Sequence, residues 1–240
     1  MGHIIDHRVL IITGGSRGIG LATIKQFAKN NWRIINLSRK PCDITGVTNI
    51  EIDLQHVTRS LEHLKQLLAA ELGDSSMICL VHNAGMYISD TVAEQSAETA
   101  RALLEINVVA PIILNQIVIP LMAAGSSIIY LGSTLSEKAV PHSASYVVSK
   151  HAVAGLMRAT CQDLAGRNIH TCCVCPGVTE TEMLKERCDH APGLMDTLVK
   201  MSAYHRLVKP EELADLIWFC AHHPIINGSI LHGNLGQIER

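Results

Sequence analysis

A chain of 240 residues with a formal net charge of −2 offers no general attraction to nucleic acid or to an anionic membrane. Apolar residues make up 48% and charged ones only 18%, enough for a large core with apolar surface left over for contact between subunits. The eight cysteines form no paired framework, which predicts free thiols in a reducing compartment and a cytoplasmic protein.

The first predicted element is a strand over Val9–Ile12, which runs straight into glycines and is too short for the apolar part of a signal peptide. Thr13-Gly14-Gly15-Ser16-Arg17-Gly18-Ile19-Gly20 follows and opens a helix over Gly18–Lys29. Such a turn lets backbone N–H groups at a helix start approach a pyrophosphate. Its spacing departs from the G-x-G-x-x-G fingerprint, so on spacing alone a plain strand-to-helix turn stays open.

The next strand, Arg33–Leu37, leads into Ser38-Arg39-Lys40. An acidic residue there would receive a ribose 2′-hydroxyl. There is none, and Arg39 offers a fork of donors suited to a 2′-phosphate, with Arg17 able to reach the same group. The expected cofactor is NADP(H) rather than NAD(H); the plainer reading makes both arginines solvated surface cations.

A loop over Ser38–Thr48, a strand over Asn49–Ile52, a helix over Val57–Leu72 and a strand over Met77–His82 come next. The helix predicted over Ala97–Ala123 is apolar on more than one face, but Asn107 and Pro111 interrupt it, so no membrane span is expected. After the strand Ser127–Leu131 lies Ser133, then a helix over Ser143–Ala165 that carries Tyr146 and Lys150. A free tyrosine has a pKa of about 10 and is a poor base at neutral pH. A lysine one helical turn later shares its face, and the ammonium favours the phenolate. That is the pairing general acid–base catalysis needs.

His170–Cys175 reads as a strand, and Cys172, Cys173 and Cys175 as small buried side chains rather than metal ligands. No metal site is expected. Residues 178–209 form a segment too irregular for one element, with short helices and the role of a lid. A helix over Pro210–Ala221 and a strand over Ser229–His232 close the chain. Strands and helices alternate throughout, which predicts one domain over 1–240: a doubly wound Rossmann fold with about seven parallel strands and helices on both faces. His142, His190 and His205 read as loop residues.

Together these residues resemble the classical short-chain dehydrogenase/reductase family, over nearly the whole chain. Thr13-Gly14-x3-Gly18-x-Gly20 resembles its cofactor turn, Asp53-Leu54 its adenine contact and Asn83-Ala84-Gly85 its turn after the fourth strand. Asn107, Ser133, Tyr146 and Lys150 resemble its catalytic tetrad, and Pro176-Gly177 with Thr179 and Thr181 its nicotinamide segment. The resemblance implies that Tyr146 donates or removes the proton and that Lys150 assists it and grips the nicotinamide ribose. It implies that Ser133 orients the substrate oxygen and that Asn107 holds a water linking Lys150 to solvent. It also implies a homodimer or homotetramer.

Three positions depart from the pattern. His82 stands where the family has asparagine, and Thr179 where it often has isoleucine or valine; His232-Gly233-Asn234-Leu235-Gly236 replaces its Asp-Gly-Gly. The implied activity is NADP(H)-dependent interconversion of a carbonyl and a secondary alcohol on a small molecule. The alternatives are reduction of 3-oxoacyl groups on acyl carrier protein, which needs a basic docking patch for which Arg158 and Arg167 are available, and NADP sensing without catalysis. Aromatics are only 3% of the chain, so a pocket of stacked rings is not expected.

Overall fold

The apolar, β-branched runs fold into seven strands of one sheet in the computed structural model, which describes residues 8–72, 77–189 and 193–237. They are β1 (Arg8–Thr13), β2 (Arg33–Ser38), β3 (Val47–Glu51), β4 (Met77–His82), β5 (Ser127–Leu131), β6 (His170–Pro176) and β7 (Ile230–Gly233). The order is β3-β2-β1-β4-β5-β6-β7 and every pairing is parallel. The strand expected over Asn49–Ile52 begins earlier, because Val47 and Thr48 pair with Ile34 and Ile35.

Alternate residues of each strand feed opposite faces. Val9 and Ile11 pack with α2 (Leu61–Leu72), α4 (Ala110–Val118) and α5 (Ala144–Asp163). Leu10 and Ile12 pack with α1 (Gly18–Lys29) and α8 (Pro210–His222). On that second face Phe27 meets Trp32 and Trp218 edge to face, with ring centroids 5.0 and 4.9 Å apart.

The long helix expected over Ala97–Ala123 is not one regular α-helix. It consists of α3 (Ala97–Leu104), a π-helical turn over Glu105–Val109, α4 and a final 3₁₀ turn. Ala110 N–H donates to the Glu105 carbonyl five residues back, and Pro111 has no N–H to give, so the ordinary ladder cannot run through this point. By length and mean hydropathy (1.9) the Ala97–Leu121 run is apolar enough to cross a membrane. Half of its most apolar 18-residue window is buried inside the fold, where Leu114 and Val118 join the core.

The irregular segment does contain short helices, α6 (Glu182–Cys188) and α7 (Leu194–Lys200). A bridge between Thr179 and Val208 closes its base. His190 lies outside the described residues. The chain leaves β1 toward β3 on one side and resumes at β4 on the other. That reversal opens a crevice beyond the carboxyl ends of β1 and β4, where ligands of open α/β sheets bind.

Candidate active site

Gly14 follows β1 and Asn83 follows β4, so the reversal brings the glycine turn and the Asn-Ala-Gly turn together. Asn83 ties them: its side-chain amide donates to the Thr13 and Gly14 carbonyls at 2.9 and 3.0 Å. Thr13 Oγ1 accepts from the N–H groups of Asn83 and Ala84 at 3.0 and 2.9 Å. Gly14 has φ +68 and Gly18 φ +54, conformations that suit glycine. A Cβ on Gly20 would run into the Gly14 carbonyl oxygen and lie 2.6 Å from Asn83 Nδ2. Backbone thus lies on backbone here, and the first N–H groups of α1, at Gly18, Ile19 and Gly20, precede its first intrahelical bond, from Leu21 N to the Arg17 carbonyl.

Sequence reasoning missed what supports this turn. Asn36 is fully buried in β2, and its Oδ1 accepts from Gly15 N at 2.9 Å. Its amide donates to Ser38 Oγ and to Asn49 Oδ1, both at 2.9 Å. A polar residue within Ile34-Ile35-Asn36-Leu37 was the available signal. At the end of β2, Ser38 is buried and its hydroxyl donates to the Lys40 carbonyl at 2.5 Å, while Arg39 is exposed. Arg17 is engaged elsewhere than expected: its guanidinium lies 2.6 Å from the Glu186 carboxylate of α6. Asp53 caps the turn that follows β3 by accepting from Gln55 N at 3.0 Å, and the Leu54 side chain is in the core.

Beyond β5 the chain turns at Gly132, where an added Cβ would sit 2.7 Å from both Cys173 Sγ and Ser136 Oγ. Ser133 begins a 3₁₀ turn: its Oγ accepts from Leu135 N at 3.1 Å, and its N–H donates to Ser136 Oγ at 3.1 Å. Cys173 and Cys175 fill the space behind that turn, fully buried with their sulfurs 3.8 Å apart. Burial pushes the Cys79 thiol, on the opposite face, up to about 12. All eight cysteines are free.

Tyr146 is half-buried in the first turn of α5, and Lys150 one turn later is buried. Lys150 Nζ donates to the Leu131 carbonyl at 2.8 Å and lies 5.5 Å from the centroid of the Tyr146 ring. Asn107, buried in the π turn, accepts from Met86 N at 2.8 Å and donates to the Met86 carbonyl and Ser149 Oγ, both at 3.0 Å. A Cβ at Gly85 would be 3.6 Å from both Asn107 Oδ1 and Lys150 Nζ, so this glycine lies between them. Two rings meet here without stacking: Tyr87 stands edge-on to Tyr146 with centroids 5.1 Å apart.

The third side of the crevice comes from β6. Gly177 N–H donates to the Gly233 carbonyl at 3.0 Å, which ties Pro176-Gly177 to β7. Thr179 is buried and gives its hydroxyl to the Gly177 carbonyl at 2.9 Å, so its side chain is turned back into its own loop. Thr181 caps α6, and its methyl would lie 3.2 Å from a Cβ on Gly18. His142 and His205 are exposed. His82 is a core residue: its Nε2 donates to Asn115 Oδ1 at 2.9 Å, and Asn115 donates to the Tyr130 hydroxyl at 2.6 Å. Burial pulls its pKa down to about 4.

The model of the short chain dehydrogenase family matches residues 8–192. Protein FixR of Bradyrhizobium diazoefficiens is 30% identical over 232 residues, 89% of this chain and 80% of that protein. Carbonyl reductase family member 4 of Xenopus laevis is 25% identical over 243 residues, 93% of this chain and 95% of that protein. The ligand-free aldohexose dehydrogenase of Thermoplasma acidophilum superposes with a TM-score of 0.87 at 24% identity, over 95% of this chain and 93% of that one. With its seven-stranded parallel sheet and this match over most of its length, the chain belongs to the short-chain dehydrogenase family of oxidoreductases.

Proposed function

We propose that this protein is an NADP(H)-dependent oxidoreductase that interconverts a carbonyl and a secondary alcohol on a small molecule. The observation that carries the reading is the buried Lys150 ammonium beside the ring of Tyr146, at the edge of the crevice that the glycine turn opens. The turn fits a dinucleotide because glycine at 14 and 20 lets it pack directly on Ala84 and on its own Gly14 carbonyl, where a Cβ would intrude, and so sets the first N–H groups of α1 as donors for a phosphate.

A nicotinamide dinucleotide supplies or takes up the hydride when bound. Gly14, Ser16, Gly18, Ile19 and Gly20 hold its pyrophosphate, Arg17 reaches the 2′-phosphate once it leaves Glu186, Asp53 and Leu54 hold its adenine, and Asn83, Ala84 and Gly85 line its path. Pro176, Gly177, Thr179 and Thr181 hold the carboxamide, Thr179 through its main chain because its hydroxyl is taken. NADP(H) is favoured over NAD(H) because β2 ends without a carboxylate at Ser38-Arg39 and Arg39 is exposed for a 2′-phosphate.

Tyr146 gives its proton to the carbonyl oxygen in reduction and removes one in oxidation. Lys150 stabilises the negative charge left on the phenol oxygen and grips the ribose. Ser133 uses one oxygen lone pair on Leu135 N, which leaves its O–H to donate to the substrate oxygen. Asn107 and Lys150 flank Gly85, whose missing side chain leaves room for a water between them to relay the proton. The 178–209 segment closes over the substrate as a lid.

Docking of an acyl carrier protein is disfavoured: Arg158 faces Glu137 at 3.6 Å, and Arg167 donates to the Ile119 carbonyl at 3.1 Å. A second copy packs on α4 and α5, where Ile112 and Val148 are 36% and 56% exposed, to give a dimer or tetramer. With eight free thiols, we place the protein in the cytosol.

The test is oxidation of NADPH with a panel of phenanthrenequinone, diacetyl, ethyl acetoacetate and cyclohexanone. Wild type turns over at least one of them. Tyr146→Phe binds NADPH as wild type does and loses about a thousandfold in kcat. Wild-type turnover by Tyr146→Phe, or tight NADPH binding with no turnover of any carbonyl by wild type, overturns the reading; the second result favours a nucleotide sensor.

A further inference from the structure

Past Gly85 the strap that follows β4 carries no recognised motif, yet it is fastened at both ends. At one end, Asn107 holds the N–H and the carbonyl of Met86. At the other, Asp90 is bound to the start of α5. Its Oδ1 accepts from Ser145 N at 3.0 Å, its Oδ2 accepts from the Ser145 hydroxyl, and its main-chain carbonyl accepts from Ala144 N at 3.3 Å. Between the two ends, Tyr87 and Ser89 donate from their hydroxyls to the His142 carbonyl at 3.3 and 3.2 Å.

Helix α5 needs this support. Its own N-cap residue, Ser143, makes no side-chain cap bond. Free N–H groups in the first turn require an acceptor, and the usual one is the side chain of the N-cap residue. Here it is the carboxylate of Asp90, 55 residues earlier in the chain than Ser145. A carboxylate also suits the positive end of a helix dipole. The entry to the helix is constrained as well: His142 has φ +58, uncommon for a residue with a side chain, and its carbonyl is the one that Tyr87 and Ser89 hold. Tyr146 comes directly after Ser145, in the turn that Asp90 fixes, with the Tyr87 ring edge-on to its own.

We propose that Asp90 is a positioning residue for the proton-transferring tyrosine: by capping α5 from another segment, it fixes the placement of Tyr146 relative to Lys150 and Ser133. This rests on the reading of Tyr146 as the proton donor. Asp90 touches no reacting atom. It acts through Ser145, and the strap joins that cap to Asn107, so the start of α5 and the π turn are held as one unit. A shift of about 1 Å at a reacting group can cost about a hundredfold in rate.

The experiment measures kcat, NADPH affinity by fluorescence, and melting temperature for wild type, Asp90→Ala, Asp90→Asn and Tyr146→Phe, using the best-reduced member of the carbonyl panel. Asparagine keeps an acceptor for Ser145 N and a donor for the Ser145 hydroxyl, so it is the conservative rescue. Expected are a loss of about 10- to 50-fold in kcat for Asp90→Ala, NADPH affinity within about twofold of wild type, and Asp90→Asn within about threefold of wild type in kcat. If Asp90→Ala does not fold, Asp90→Glu, which displaces the carboxylate by one methylene, carries the same comparison.

Wild-type kcat in Asp90→Ala beside a dead Tyr146→Phe overturns the positioning role and leaves the proposed function standing. A parallel loss of kcat, NADPH affinity and melting temperature that Asp90→Asn does not restore also overturns it, because that is a general structural defect. Wild-type kcat in Tyr146→Phe overturns the function reading itself and the inference with it.

Discussion

The two ends of the crevice are built differently. The proposed phosphate end comes from one continuous stretch, Thr13 to Gly20, packed so closely that side chains mostly have to be absent, with Asn36 and Asn83 bracing it from behind. The tyrosine end gathers Asn107, Ser133, Tyr146 and Lys150 from the π turn, the end of β5 and α5, with the strap after β4 between them. A contiguous, backbone-made site fails when a side chain is added. An assembled site fails when a spacer or a tie between elements is changed, even far from the reacting atoms.

That contrast orders the expected effects. Gly20→Ala should do most damage at the phosphate end, because its Cβ would run into the Gly14 carbonyl. NADPH and NADH affinities should both fall by more than about a hundredfold by fluorescence titration. Equal binding in the variant would remove the close backbone approach on which the phosphate end depends.

Behind the tyrosine end, His82 should dominate acid stability. Its pKa falls from an ordinary 6.5 to about 4 in the fold, through burial. Above pH 6.5 the unfolded chain takes up no extra proton at this site, and the full stability is present. As the pH falls from 6.5 toward 4, the unfolded state is protonated while the folded one resists, and roughly 3 kcal/mol is lost. His170, also lowered by burial, adds a slope of the same sign. Denaturant melts at a series of pH values should therefore show a shallower acid slope in His82→Asn; an unchanged slope would assign the effect elsewhere.

Gly132→Ala tests a spacer at the assembled end. Its Cβ would press on Cys173 Sγ and Ser136 Oγ, each at 2.7 Å, and so displace the Ser133 turn. The expected result is a fall of about 30-fold in kcat/KM with unchanged NADPH affinity. A loss confined to NADPH affinity would mean that the two ends are not separable.

Smaller effects concern the choice of nucleotide. Arg39→Ala should weaken NADPH binding about tenfold and NADH binding by less than about twofold. Equal changes would refute the 2′-phosphate assignment. Smallest of all, Glu186→Gln should tighten NADPH binding about twofold by releasing Arg17, and the gain should vanish in high salt, since the pair is exposed.

Many of the residues around the crevice were legible in the sequence because their patterns are local. Glycines at fixed spacing after a strand, and a tyrosine and lysine one helical turn apart, are patterns within a few residues, and it was their joint occurrence in chain order that pointed to one site. Element types were legible for the same reason: apolar periods of two and of about 3.6 report burial directly. The π turn was not, because it depends on Pro111 withholding a donor while Asn107 ties itself to Met86, and no period in the sequence encodes that.

Length, composition and the short-range patterns by themselves determined a parallel α/β sheet with a glycine turn at its first strand and a tyrosine-lysine helix late in the chain. Only the tertiary structure decided that Asn36 holds the glycine turn, that Arg17 meets Glu186, that His82 is a core residue and that Asp90 caps α5. These are contacts between residues 21 to 169 positions apart. They depend on which strand ends lie side by side, and that is fixed by the packing of the whole sheet rather than by any local run of residues.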